Sequence, residues 1–382
     1  MASAPLRVLV TGAGGLLGYH CRAALFARNY HQVFHGGAPA FDIVTASREE
    51  FSDPDALATC LSGCAAVLHL AGLNRASPEE VELGNPRIAR ALVEAMGIAG
   101  VNPHVVYANS THAQGDTPYG RGKAEADRVF ADWARASGAR YSNVIIPHVF
   151  GEGGVPFYNT VTATLCRQIV DGKAPDINPG ASVELLHAGA VADAMLEMIE
   201  LEREGTVTLE GRAFGVEDLH ETIRDYKTCY DANRFPDLSD PFHVSLFNTY
   251  RAFEFPQSFP RLLTLHNDPR GVLFEAVKGG GGGQTFLSWT EPGVERGNHF
   301  HRGKVERFLV ISGNAQIRVR RLFDDTVHRF DVSGERLEAI DMPVLHVHSI
   351  VNTGDRPLLT LFWAHEIFDP DNADTYAHPV LP

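Results

Sequence analysis

Tyr119 and Lys123 stand four residues apart in Tyr119-Gly120-Arg121-Gly122-Lys123, a spacing that brings both side chains to one face of a helix. A phenol can exchange a proton with a substrate oxygen. A cationic lysine beside it favours the ionised form, which predicts a phenol pKa below its usual value of about 10. Ser110, upstream of this pair, adds a hydroxyl able to hold the same oxygen. A second group of residues suits a different chemistry. His299 and His301 alternate along one strand and so point to one side, and Glu306 follows on the next strand. Imidazoles with a carboxylate suit zinc, iron, nickel or manganese, and the sequence does not choose among them. A metal-free barrel that uses the same polar groups to bind sugar is the alternative. Asn298, Arg302 and His346 are expected around this set rather than in it.

A third feature is the loop Thr11-Gly12-Ala13-Gly14-Gly15-Leu16-Leu17-Gly18, which lies directly between an apolar strand and an amphipathic helix. Glycine is needed there for the tight turn and for close approach of a pyrophosphate to the backbone, and the helix N-terminus supplies amides and partial positive charge. We therefore expect Thr11, Gly12, Gly15, Leu16, Leu17 and Gly18 to hold a dinucleotide. The second strand ends Thr45-Ala46-Ser47-Arg48. Asp42 lies too early to meet a ribose, so Ser47 and Arg48 favour NADP(H) over NAD.

These residues need elements to position them. In the first half, apolar strands alternate with helical patterns: Leu6 to Val10, a helix from Gly15 to about Ala27, Ile43 to Ala46, Ala66 to Leu70, a helix after Asn85, His104 to Ala108, a helix from Tyr119 to Ser137 and a strand from Ser142 to Ile146. That rhythm predicts a Rossmann-like, doubly wound parallel sheet. From about Gly271 the helical period gives way to short strands between glycine, proline and charged turns, which predicts an all-β barrel or sandwich. The Gly279 to Gly283 run reads as a hairpin loop inside that second part. The boundary is placed near Pro256 and Pro260, giving domains 1–255 and 256–382.

With 382 residues, two domains are the prior expectation. A composition of 44% hydrophobic and 21% charged residues, without a long apolar run, is that of a globular protein that needs no membrane. The formal charge of −14 argues against nucleic acid or an anionic membrane as partner. Five scattered cysteines without CxxC spacing, and a start that runs straight into the first strand, point to a cytoplasmic home.

The glycine loop, Leu68-His69-Leu70-Ala71-Gly72, Ser110 and Tyr119-x-x-x-Lys123 together resemble the extended short-chain dehydrogenase/reductase family, which implies that Leu70, Ala71 and Gly72 also line the dinucleotide. Ala71-Gly72-Leu73-Asn74-Arg75, Pro147-His148-Val149-Phe150-Gly151 and Phe157-Tyr158-Asn159 more specifically resemble bacterial capsule-type UDP-sugar epimerase/reductases, in which a cupin (jelly-roll) barrel follows the reductase. Pro292-Gly293, Gly297-Asn298-His299-Phe300-His301, Phe308 to Gly313 and the tail Phe368 to Tyr376 match that barrel, although Leu345 stands where the cupin pattern has glycine; His348 falls where cupins carry their third histidine, so the resemblance implies one ion, zinc, on His299, His301, Glu306 and His348. The resemblance implies that the barrel inverts carbon 3 of a 4-keto UDP-sugar, its metal polarising the ketone. The reductase then reduces the ketone with NADPH, with Tyr119 as proton donor, Ser110 orienting and Lys123 supporting both Tyr119 and the nicotinamide ribose. Asn74, Arg75 and Asn159 are expected at the substrate, and a homodimer is expected from the resemblance alone. The other readings are an epimerase or dehydratase that retains NAD, an oxygen-using iron dioxygenase in the barrel, and a non-catalytic cofactor and sugar sensor.

Overall fold

The computed structural model describes residues 4–381. They group into two compact units, one running to Thr164 and including Gly180–Gly215, the other comprising Leu165–Pro179 and the chain from Val216 onward.

The first unit contains, in order, β1 (Leu6–Thr11), α1 (Leu16–Phe34), β2 (Phe41–Ala46), α2 (Pro54–Leu61), β3 (Ala66–His69), α3 (Pro78–Ala99), β4 (His104–Ser110), α4 (Pro118–Ser137), β5 (Tyr141–Ile146) and β6 (His148–Phe150). Next come α5 (Val161–Val170), which crosses the division, and then β7 (Ser182–His187), α6 (Ala188–Glu200), β8 (Gly205–Thr208) and β9 (Arg212–Gly215). Six strands form one sheet in the order β2-β1-β3-β4-β5-β8, every pair parallel. Parallel strands covered on both faces must be apolar throughout, and Val8, Leu9, Val10, Val105 and Val106 are fully buried. One face packs on α1 and α6 through Cys21, Leu25, Val191 and Met195, and the other on α2, α3 and α4 through Leu57, Leu92 and Phe130.

α3 begins at Pro78, not after Asn85 as the sequence reading has it. Ser77 and Glu80 form a reciprocal capping box with Pro78 in the first turn, and the apolar positions Val81, Ala89, Leu92, Ala95 and Met96 keep helical spacing across Pro86. The tertiary burial of that face outweighs the one interior proline.

The second unit adds α7 (Val216–Asp231), α8 (Pro241–Glu254) and the strands β10 (Arg261–Leu262), β11 (Leu265–Asp268), β12 (Gly271–Phe274), β13 (Gln284–Thr290), β14 (Glu295–Phe300), β15 (Glu306–Ser312), β16 (Asn314–Arg321), β17 (Val327–Ser333), β18 (Glu338–Met342), β19 (His346–Asn352), β20 (Leu358–Ala364) and β21 (Tyr376–Ala377). Two five-stranded antiparallel sheets, β10-β18-β15-β20-β13 and β17-β16-β19-β14-β21, build the jelly-roll barrel. The glycine run at 279–283 is not a hairpin loop: β12 pairs back on β11 while β13 pairs with β20, so the run carries the chain between two different sheets.

Helices α7 and α8 group with this barrel, and a buried polar knot shows why. Arg307 donates from Nε to Asp341 Oδ1 at 2.5 Å and from Nη2 to Oδ2 at 2.8 Å, with both side chains fully buried. Tyr230 on α7 donates to the same carboxylate at 2.6 Å, and Asn248 on α8 donates to Gly303 O at 2.8 Å. A buried ion pair is tolerable only when its remaining hydrogen-bonding capacity is met, and the helix supplies that partner.

Candidate functional site

Ser110 ends β4 and caps the short turn Thr111–Gln114, its hydroxyl accepting from His112 N at 3.2 Å. Tyr119 lies in the first turn of α4, which Thr117 caps by accepting from Gly120 N at 3.0 Å. The two glycines between Tyr119 and Lys123 are steric necessities. A Cβ on Gly120 would meet His112 O at 2.2 Å, and one on Gly122 would meet Glu82 O at 2.7 Å, where α4 crosses α3. Helix α4 can therefore lie this close to both neighbours only with those residues. The Ser110 side chain acts on the Tyr119 phenol, favouring its ionised form. Lys123 is buried one turn further on, donating to Ala108 O at 2.7 Å with its ammonium 4.7 Å from the centre of the Tyr107 ring.

One expectation needs correcting. Burial pushes the Tyr119 phenol above its ordinary pKa, and Ser110 only partly opposes that. Lys123 itself is driven down to about 8 by burial. Tyr119 is thus held as a protonated donor, and the lysine's charge is spent on a main-chain carbonyl rather than on lowering the phenol.

The glycine loop forms a cradle that side chains would fill. Gly12, at φ +66°, would place a Cβ 2.8 Å from Ala71 N, and Gly18 would place one 2.2 Å from Gly12 O. α1 starts at an N-cap, Gly15, that offers no side-chain acceptor, and no acid lies in its first turn, so its leading amides remain open to an anion. The Thr11 hydroxyl accepts from both Leu70 N and Ala71 N at 3.1 Å and bonds His69 Nδ1, which fixes the Leu70–Gly72 turn against the loop. These features fit the pyrophosphate of a dinucleotide. At the end of β2, Ser47 N donates to Glu50 Oε2 at 2.7 Å, while Arg48 is exposed.

Arg75 reaches the segment that carries Asn159, donating to Phe157 O at 2.6 Å and Tyr158 O at 3.1 Å. The Asn74–Arg75 turn is held in turn by Asn85, which accepts from Leu73 N at 3.1 Å and donates to Leu73 O at 3.0 Å. Sequence reading missed Asn85; its place beside Pro86 carried no signal.

In the barrel, donor atoms of His299, His301, Glu306 and His348 all lie within 4.8 Å of one another. A bulge between Gly297 and His299, with Asn298 at φ +58°, sets His299 opposite His348 across β14 and β19. Glu306 Oε2 lies 3.0 Å from His301 Nε2 and 3.5 Å from His348 Nε2, and the latter nitrogen is buried without a hydrogen-bond partner. His301 Nδ1 donates to Asp374 O, and His348 Nδ1 donates to His346 O at 3.2 Å. Both rings thus hold Nδ1 on a main-chain carbonyl and turn Nε2 inward, the orientation that metal-binding histidines adopt, with His301 Nε2 donating to the Glu306 carboxylate. Burial and the adjacent imidazoles hold His299 neutral. Burial raises the Glu306 carboxyl, but His301 and His348 outweigh it and keep it ionised. The donor set fits a divalent cation. Leu345, where glycine was the pattern, sits at φ +58° and is buried, so a left-handed backbone is retained here with a leucine.

Asp374 supports this centre and was passed over as a single residue within the matching tail. Its carboxylate accepts from Arg302 N, Gly303 N and Lys304 N at 2.7–2.8 Å, fixing the loop between His301 and Glu306. A second histidine and carboxylate group, His20, Glu152 and His187, is wired differently. Gly189 N donates into His187 Nδ1 at 3.2 Å, so the ring's proton is on Nε2, which meets Glu152 Oε2 at 3.1 Å. That group holds protons rather than a metal.

Residues 8–209 match the NAD dependent epimerase/dehydratase family, and residues 266–376 match the polysaccharide biosynthesis C-terminal domain. A curated relative, UDP-2-acetamido-2,6-beta-L-arabino-hexul-4-ose reductase of Pseudomonas aeruginosa, is 30% identical over 97% of this chain and 98% of its own length. The chain belongs to the NAD-dependent epimerase/dehydratase family. Among solved structures, the capsular polysaccharide assembling protein CapF of Staphylococcus aureus is 26% identical, with a TM-score of 0.58 over 98% of this chain and all of that one. UDP-N-acetylglucosamine 4-epimerase of Methanobrevibacter ruminantium, 20% identical with a TM-score of 0.54 over 66% of this chain and 99% of its own, shares the fold. As a member of the epimerase/dehydratase family, the chain is an NAD(P)-dependent oxidoreductase, with a Rossmann-like unit followed by a cupin barrel. No helix among the described residues is long and apolar enough to cross a membrane.

Proposed function

We propose that this protein reduces the keto group of a UDP-linked 4-keto-6-deoxy sugar with NADPH, after the barrel has inverted carbon 3 of the same sugar, in the supply of capsule or surface polysaccharide precursors. The observation that carries the reduction is the placement of Tyr119 in the first turn of α4, with Ser110 at the end of β4 and Lys123 buried one turn further on, and burial favours the protonated phenol. In that state Tyr119 gives its proton to the carbonyl oxygen as the alkoxide develops, and Ser110 holds the same oxygen in place. Lys123, anchored on Ala108 O, keeps a positive charge at the base of this pair. A dinucleotide held by Gly12, Gly15, Gly18 and the turn at Leu70–Gly72 would supply the hydride, with Ser47 and Arg48 at its adenosine ribose. Asn74, Arg75 and Asn159 are the proposed sugar contacts.

For the barrel, His299, His301, Glu306 and His348 would hold one divalent ion, zinc in this reading, whose Lewis acidity acidifies the carbon next to a carbonyl. The pocket over these residues has a volume of about 670 Å³, within the range of a small-molecule site. The reading as a whole draws on likeness to the Pseudomonas aeruginosa reductase and to CapF. Function would be carried out by a homodimer, and in the division of labour the Rossmann-like unit reduces while the barrel unit epimerises.

The test is consumption of NADPH with a UDP-4-keto-6-deoxy-N-acetylhexosamine, beside NADH and beside Tyr119→Phe. Stoichiometric oxidation of NADPH that falls by about 10²- to 10⁴-fold in Tyr119→Phe supports the reading. Turnover without net cofactor consumption overturns it in favour of an epimerase that retains NAD.

A further inference from the structure

Inversion of a carbon next to a ketone needs a base that removes its proton, and none of the four clustered residues is free to act as one, since their donor atoms face one another. Among the described residues lining the pocket, the other side chains with acid or base chemistry are Arg296, Lys304 and Glu366. Arg296 does not give up its proton in a protein, which removes it as a base. Lys304 is buried and already committed as a donor, to Thr375 Oγ1 at 3.2 Å, with its ammonium 3.7 Å from Glu366 Oε1. Its main-chain N–H is held by Asp374 at 2.8 Å, so the lysine is fixed at both ends. Glu366 follows the end of β20, lines the pocket and is accessible to a ligand there at 42% side-chain exposure. Burial raises its carboxyl, against the pull of Lys304, which makes it a better proton acceptor than a surface glutamate.

We infer that Glu366 is the base that takes the proton from carbon 3 of the keto-sugar, with Lys304 orienting its carboxylate. The inference rests on the epimerase reading of the barrel. The bond from carbon 3 to hydrogen breaks, and the proton goes to a Glu366 carboxylate oxygen. The electron pair forms the double bond between carbons 3 and 4, leaving the negative charge on the carbonyl oxygen as an enolate. A proton from water then returns to carbon 3 on the opposite face, the carbonyl re-forms, and Glu366 releases its proton to solvent. Arg296, at the pocket wall, is left to meet the anionic part of the ligand.

The experiment follows deuterium uptake at carbon 3 in D₂O, by NMR and mass spectrometry, with metal-replete enzyme and no NADPH. The wild type is expected to exchange. Glu366→Gln, which keeps shape and loses basicity, is expected to slow exchange by at least about 100-fold while retaining its metal content and thermal unfolding profile. Glu366→Ala is the second variant: added formate is expected to restore part of its exchange, which a merely structural glutamate would not allow. Exchange by Glu366→Gln at the wild-type rate, or no rescue of Glu366→Ala by formate, overturns the assignment of Glu366 alone. Absence of exchange in the wild type overturns the epimerase reading itself.

Discussion

Replacing Lys123 by methionine should change how the first unit's stability depends on pH. The ammonium is fully enclosed, and burial brings it from the usual 10.5 down to about 8. Holding the charge in the folded chain therefore costs about 3 kcal/mol relative to the unfolded chain. Below pH 8 both states carry the proton and the penalty is fully present. Between about pH 8 and 10.5 the folded chain has released it while the unfolded chain has not, so stability attributable to Lys123 rises with pH and then levels off. Urea unfolding of wild type and Lys123→Met, compared at each pH, isolates this from the four other lysines and the ten tyrosines. The difference in unfolding free energy, wild type minus variant, is expected to move in the wild type's favour by about 2 to 3 kcal/mol between about pH 7 and pH 10. The same titration removes the positive charge beneath Tyr119, so kcat/KM for reduction should fall as pH rises through about 8. A stability difference that stays flat to within about 0.5 kcal/mol over that range would refute the claim that Lys123 is a buried cation held at a cost.

Three further perturbations test other parts of the argument. Asp341→Asn leaves the buried Arg307 guanidinium without its counter-charge and should destabilise the second unit by about 3 to 5 kcal/mol, read by denaturant unfolding. Gly18→Ala drives a Cβ to within 2.2 Å of Gly12 O and should weaken dinucleotide binding by at least about 10-fold in a fluorescence titration, the loop having to open to admit it. Asp374→Ala removes the acceptor for three loop amides and disturbs the carbonyl that orients His301. Metal affinity, measured by competition with a chelator, should drop by about 10- to 100-fold.

Much of the architecture was legible in the chain because it depends on local periodicity. Continuous apolar runs such as Val8 to Val10 and Val105 to Ala108 are satisfied by strands covered on both faces, and the spacing of His299, His301 and Glu306 follows from a strand, a turn and a strand. The glycines of the loop and of Tyr119 to Lys123 were equally readable as types. What the sequence alone determined, then, was which elements form and which residue types converge on each site. The tertiary structure decided how those residues behave. Whether Lys123 charges the phenol or a carbonyl depends on burial and on where Ala108 O lies, and this reversed the expected direction for Tyr119. Leu345 can stand in a left-handed turn because packing around it holds the backbone there. Asp374, Asn85 and Glu366 act through contacts between 12 and 72 residues away in the chain, closed only when the fold forms, and no spacing rule records such contacts.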